Sequence, residues 1–254
     1  MPRKEDNVPA TLRAVSVLEA LVAADRPASL AELTEASRLP KPTLYRMLGM
    51  LESAGLVSRE PGSRRYAPGH RLASLGRNVM LNGSLRAERH AILARLVDEI
   101  GETCNFTMLD GAAVIYLDRV EAAWPLRMNL SAGSHVPLHC TASGKLLLAL
   151  LAKAARERLI AHLALDRYTD TTITERKRLD AELARIRARR HATDNEEFHA
   201  GLVCVAVPVT DAGKRVCAAI AVHAPVSRMP LARALEHLPS LRRSAQAMAQ
   251  TFLL

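Results

Sequence analysis

Residues 29–57 read S-L-A-E-L-T-E-A-S-R-L-P-K-P-T-L-Y-R-M-L-G-M-L-E-S-A-G-L-V, and this stretch decides how the first part of the chain folds. Ser29 followed by Glu32 is a capping box, which satisfies two amides at a helix start and predicts a helix from Leu30 to about Ser37. Leu39-Pro40-Lys41-Pro42 ends it, because proline lacks the amide hydrogen that a helix interior needs. Proline is tolerated in a first turn, so Pro42 opens another helix whose buried stripe is Leu44, Met47, Leu48 and Leu51. Its opposite face carries Pro42, Tyr45, Arg46 and Gly49, flanked by Thr43 and Met50. Gly55 supplies a left-handed cap. Leu56 to Arg59 and Arg64 to Pro68 then read as short strands around the turn Glu60-Pro61-Gly62-Ser63. Two helices at a tight corner followed by a basic hairpin form a winged helix-turn-helix, a unit that lays one helix in the major groove of a duplex.

Upstream, Thr11 starts a packing helix with Leu12, Val15, Leu18, Leu21 and Val22 on one face. Downstream, His70 to Leu81 carries Leu, Val and Met at helical spacing and reads as a linker helix, followed after Asn82-Gly83-Ser84 by a helical pattern from Leu85 to Ile100. From Glu102 the period drops to 2. Cys104, Phe106 and Met108 alternate with Thr103, Asn105 and Thr107, as in a half-buried strand. Further strands are expected at Val114–Val120 and around Leu126–Leu130. A helix over Cys140–Leu151, entered through Thr141 or Ser143, and helices over Ala154–Leu165 and Glu175–Arg190 come next. The strands Leu202–Val209 and Arg215–His223 flank the turn Asp211-Ala212-Gly213-Lys214, and a helix over Met229–Leu253 closes the chain. The order predicts an α+β protein with a mostly antiparallel sheet. Its expected divisions are a winged helix-turn-helix domain at 1–69, a linker helix at 70–84 and a second domain at 85–254.

A length of 254 residues suits two domains, and 49% hydrophobic residues are enough for a real core. The net charge of +9 suits a polyanionic partner. It is dense from Arg59 to Arg77, where Arg59, Arg64, Arg65, Arg71 and Arg77 face only Glu60. The later run Arg176, Lys177, Arg178, Arg185, Arg187, Arg189 and Arg190 is interleaved with Glu175, Asp180 and Glu182 and reads as a solvated helix face. Cys104, Cys140, Cys204 and Cys217 contain no C-x-x-C pair, which argues against a zinc ribbon or a disulfide framework and for reduced thiols. No secretory leader or membrane-spanning run is visible. The expected compartment is the cytoplasm, with no membrane partner.

The L-P-K-P-T-L-Y-R-M-L-G-M-L-E-S-A-G-L-V run resembles the IclR family of bacterial transcriptional regulators, and the resemblance covers almost the whole chain. Two later segments carry it more specifically: V-P-L-H-C-T-A-S-G-K at 136–145, and D-N-E-E-F-H-A-G-L-V-C-V-A-V-P-V at 194–209. Pro42 stands where serine is common in the family, and Asn195 where a second acidic residue is common. The resemblance implies a GAF-like α/β effector-binding domain joined by the linker helix to the DNA-binding domain. It also implies a homodimer or homotetramer on double-stranded operator DNA, working as repressor or activator.

Reading a duplex needs side chains that reach base edges or phosphates from a helix's first turns, which places Lys41, Thr43, Tyr45 and Arg46 at the interface. Arg59, Arg64 and Arg65 on the wing suit phosphates or a minor groove. A pocket for a small organic acid, carboxylate and possibly aromatic, needs apolar walls and a helix N-terminus, which Ala142, Ser143 and Gly144 provide. The resemblance adds Asp194, Leu202, Cys204 and Met128 to that cavity. Strand alternation brings Ala221 and His223 to it as well. The residues supply no catalytic set of nucleophile, base and orienter, no metal spacing and no cofactor motif, so the chain reads as a non-enzyme. Two alternatives stay open: a winged-helix protein-interaction or oligomerisation module without effector, and a small-molecule enzyme using the C-terminal pocket.

Overall fold

The computed structural model describes residues 8–24, 26–60, 62–81, 83–124, 130–211, 213 and 215–252. Pro61, Asn82, Ala212, Lys214, Leu253, Met128 and the expected strand over 126–129 lie outside them. The chain forms two compact units, Met1–Val79 and Met80–Leu254.

The first unit contains α1 (Ala10–Ala23), β1 (Ala28–Ser29), α2 (Leu30–Ser37), α3 (Lys41–Ser53), β2 (Val57–Arg59), β3 (Arg65–Pro68) and most of α4 (His70–Leu81). The capping box forms as expected: the Glu32 amide donates to Ser29 Oγ at 3.3 Å, and the Ser29 amide donates to Glu32 Oε2 at 2.6 Å. Leu44, Met47, Leu48 and Leu51 of α3 pack with Leu33, Val17, Leu21, Val57 and Tyr66 in one apolar core. Leu12, Val15 and Val22 of α1, expected on the buried face, are exposed instead, because Val17 and Leu21 turn a different side of that helix inward. β1 is an unexpected third strand, pairing with β3 to give the order β1-β3-β2. Two residues are too few for a period to show.

The second unit is built on a six-stranded sheet in the order β6-β5-β4-β9-β8-β7, with every pair antiparallel. Its strands are β4 (Thr103–Asp110), β5 (Ala113–Val120), β6 (His135–Pro137), β7 (Ala192–Asn195), β8 (Leu202–Thr210) and β9 (Val216–Pro225). Its helices are α5 (Gly83–Ile100), α6 (Ala142–Leu150), α7 (Lys153–Ala161), α8 (Arg176–Arg189), α9 (Leu231–Glu236) and α10 (Leu238–Gln250). The single closing helix expected from the sequence is two, since Pro239 has no amide to continue the ladder from α9.

Both faces of the sheet are covered. Ile92, Leu93 and Leu96 of α5 and Leu241 and Met248 of α10 pack on Phe106, Ile115, Val205 and Ile220. Leu146, Leu147 and Leu148 of α6 and Leu179, Leu183 and Ile186 of α8 pack on Val114, Ala206, Ala219 and Ala221. This is why the polar row of β4 is buried as well: Asn105 and Thr107 are each 1% exposed, where the sequence suggested a solvated face. Among the described residues no helix is long and apolar enough to cross a membrane.

Gly144 sets how closely α6 seats at its entry. A Cβ there would fall 2.5 Å from Leu138 O and 2.6 Å from Leu138 Cα, both backbone atoms that cannot swing aside. Gly144→Ala is therefore expected to cost about 1–3 kcal/mol of stability, read from chemical denaturation of the purified chain. An unchanged midpoint would show that the entry has slack.

Candidate functional site

On the first unit, the buried stripe of α3 turns Lys41, Tyr45 and Arg46 to solvent, with Thr43 half-buried beside them. A Cβ on Gly49 would meet nothing within 4 Å, so the helix surface there is open. On the wing, Arg64 is exposed. Arg59 lies 5.0 Å over the Tyr66 ring and pairs with Glu52 at 3.3 Å, which leaves its guanidinium at the surface but oriented. Arg65 is held differently. Its Nη1 donates to Pro27 O at 3.0 Å and to Glu32 at 3.1 Å, so this arginine braces the hairpin against α2. The Ser29 amide holds the Glu32 carboxyl down at about 2, which keeps its charge available to Arg65 and Arg26.

On the second unit, a small cavity of about 40 Å³ with an open mouth is lined by the entry of α6, by strands of the sheet and by Asp194, Phe198 and His199. Thr141 builds the entry: its Oγ1 donates to Pro137 O at 2.6 Å and accepts from the Gly144 amide at 3.1 Å. The Ala142 and Ser143 amides have no acceptor among the described residues, and both residues line the cavity. Asp194, Cys204 and His223 are direct neighbours across β7, β8 and β9, so one row of the sheet delivers all three.

The cavity is poor in fixed charge. Burial, with the Arg119 guanidinium adding to it, pushes the His223 imidazole down to about 3, so it is neutral. Burial, and then the neighbouring Glu197 carboxylate, raise Asp194 to about 7. The Asp194 Oδ1 accepts from the Glu197 amide at 2.8 Å, which only partly offsets this. Beneath the loop, Lys145 of α6 is 1% exposed and ion-pairs with Glu197, whose other carboxylate oxygen is buried without a hydrogen-bond partner among the described residues. Burial raises the Cys204 thiol well above its ordinary range, which makes it a wall and not a nucleophile.

Of the effector-site residues expected from the sequence, Ala142, Ser143, Asp194, Leu202, Cys204 and His223 come together around the cavity. Gly144 does not line it; its amide is taken by Thr141 and its missing side chain serves packing. Ala221 shares the His223 side of β9 but lies in the apolar cluster under α6. Asn105, Tyr116, Leu130, Val136, Thr141, Phe198, His199 and Val203 line the cavity without having been singled out. Asn105 had one visible signal, an amide among otherwise apolar and threonine positions of a strand. His139, on the approach to α6, bonds Asp166 O through Nε2 at 2.9 Å. No group of three or more His, Cys, Asp or Glu side chains among the described residues is placed to hold a metal ion.

The model of the IclR helix-turn-helix domain matches residues 10–61, and that of the bacterial transcriptional regulator IclR C-terminal domain matches residues 78–250. The chain is 52% identical over 243 residues, 96% of both proteins, to the probable transcriptional regulator SauR of Cupriavidus necator. It is 30% identical over 219 residues to the transcriptional repressor IclR of Escherichia coli, covering 85% of this chain and 80% of that one. The crystal structure of Thermotoga maritima IclR superposes with a TM-score of 0.63 at 28% identity, over 94% of this chain and 97% of the other. With both domain models matched and the relatives spanning nearly its full length, the chain belongs to the IclR family of bacterial transcriptional regulators.

Proposed function

We infer that this regulator binds a duplex through α3 and the wing, and that a small organic acid in the α6 cavity modulates that binding. One observation supports the acid above all: two backbone amides and the Ser143 side chain at a helix N-terminus line a largely apolar cavity. Such amides carry partial positive charge and receive a carboxylate. Leu130, Val136, Phe198, Leu202 and Val203 around them suit an aromatic or branched body. An effector switches the protein only if it binds two arrangements with unequal affinity, and DNA then alters effector affinity by the same factor.

On the DNA side, Lys41, Thr43, Tyr45, Arg46, Arg59 and Arg64 form the reading surface, with Arg65 supporting it from behind. In a gel shift on the DNA upstream of its own gene, Arg46→Ala with Arg64→Ala is expected to weaken binding by roughly tenfold or more. If both contact phosphate, the salt slope also falls by about 2. Retained affinity would sink this assignment.

The partner at a palindromic site is a second copy of the chain. Val8, Leu12, Val15 and Val22 are exposed at alternating four- and three-residue steps, with one position of the series filled by Glu19. Leu75 and Val79 of α4 are exposed too, and α4 buries no residue. Apolar stripes at this spacing pair helix to helix. Leu12→Glu with Val15→Glu is expected to lower the sedimenting mass of the full chain, and an unchanged mass would rule out this face.

Asp194 gives the site its pH dependence. Its folded carboxyl keeps a proton up to about 7, whereas an ordinary aspartate releases it near 3.8. Stability without effector therefore falls as pH climbs between those values, and an anion binds best while the proton is on. For any carboxylate that raises the melting temperature, affinity should decline as pH passes from 6 to 8, roughly tenfold per unit above about 7. Asp194→Asn should flatten the profile. A decline that survives in the variant would place the titrating group elsewhere.

A further inference from the structure

The outward face of α3 has a centre and two flanks. At about 100° per residue, Pro42, Arg46, Gly49 and Ser53 fall within about 30° of the line opposite the buried stripe of Leu44, Met47, Leu48 and Leu51. Lys41, Tyr45 and Glu52 lie to one side of that line, and Thr43 and Met50 to the other. The first flank is joined to the wing: Glu52 pairs with Arg59 at 3.3 Å, and the Tyr45 phenol stands beside the same guanidinium. A helix laid in a major groove turns its centre line to the base edges and its flanks to the two phosphate walls.

The centre line is short of polar atoms. Pro42 is exposed and has neither a polar side-chain atom nor an amide hydrogen. Gly49 has no side chain, and a Cβ there would meet only open space. Ser53 turns its hydroxyl back to its own helix, donating to Gly49 O at 2.9 Å. Arg46 is the one member of the line with donors to spare: it is exposed, and its guanidinium makes no hydrogen bond or ion pair among the described residues. Long helical side chains lean toward the N-terminus, so Arg46 reaches over the turn that carries Pro42, and the two act on neighbouring base pairs.

Such a face reads two features. A guanidinium takes O6 and N7 of guanine as a pair of acceptors, and an apolar ring meets one apolar group in the groove, the 5-methyl of thymine. We propose that Pro42 determines operator specificity by packing on a thymine methyl beside the guanine that Arg46 takes bidentately. The centre line has no amide or carboxylate to read adenine or cytosine, so the core preference of each half-site is that thymine and that guanine. The exposed Lys41 and Arg64 serve phosphates. This rests on α3 as the helix in the groove.

Selection of bound duplexes from a randomised pool by the full-length chain tests it. The wild type should enrich a half-site with a thymine beside a guanine. Pro42→Ser should keep the guanine and become indifferent at the thymine, and Arg46→Ala should do the reverse. In the selected duplex, deoxyuridine in place of that thymine removes only the methyl, and this comparison needs no variant. Wild-type binding should weaken about fourfold per half-site, the loss that one buried methyl warrants, and Pro42→Ser should bind both duplexes alike. An equal loss in both proteins would put the methyl's effect in DNA shape and overturn the proposal. So would a thymine preference that survives Pro42→Ser, or an Arg46→Ala variant that keeps the guanine and lowers the salt slope by about 1, the mark of a phosphate contact. If the wild type enriches no sequence at all, α3 as the reader of a duplex falls too, whereas a motif lacking the thymine and guanine refutes this inference alone.

Discussion

The seating of α6 on the sheet is the constraint from which the effector half follows. Its A-S-G-K-L-L-L-A-L sequence is apolar almost all round, so the helix is buried on every side from Ala142 to Ala149. Small residues on the sheet, Ala206, Ala219 and Ala221, let it approach, and Gly144 lets its first turn close over Leu138. Burial then makes a demand of Lys145, whose charge needs a partner inside the protein. Glu197 meets it, and in doing so fastens the loop after β7 to the helix. The cavity is what remains between the two.

That loop is held from outside as well. Glu196 sits at a positive φ of 63°, an unfavourable conformation for a residue with a side chain. Thr169 and Thr171 donate to Glu196 O at 2.7 and 2.8 Å, and Thr172 donates to Glu197 O at 2.7 Å, which offsets the strain. Tyr168 packs edge-on against Phe198 at 5.2 Å, and His139 ties the same segment to the approach of α6. The cavity walls thus share one outer strap, the stretch from Asp166 to Thr172. His139 and the threonines at 169, 171 and 172 are thus structural members of the site.

The DNA-binding half uses its charges in two ways. Arg65 and Glu32 are spent on holding the wing to α2, while Lys41, Arg46 and Arg64 remain turned outward. A basic run in the sequence does not separate these roles, because a guanidinium that braces a hairpin and one that meets a phosphate have the same composition. Only the position of an acceptor such as Pro27 O, 38 residues away, tells them apart.

Local rules were enough for much of this protein. The capping box at Ser29, the break at Leu39-Pro40, the stripe of α3 and the alternation within the longer strands are written in spacing that depends on near neighbours alone, so the sequence by itself determined the winged helix-turn-helix and the α+β class. Of the cavity-lining residues, spacing located Ala142 and Ser143 at the α6 entry and His223 by the alternation of β9, while Asp194, Leu202 and Cys204 came from the family resemblance. The tertiary structure decided what depends on distant partners. β6 and β7 are too short to show a period and exist because β5 and β8 offer them an edge. The polar side of β4 is buried because α6 covers it, which brings Asn105 into the site. Whether α1 turns Leu12 inward or outward, and whether Asn105 meets His223 across the sheet, rest on contacts between residues far apart in the chain. No periodicity encodes such contacts, since they form only when the separate elements pack.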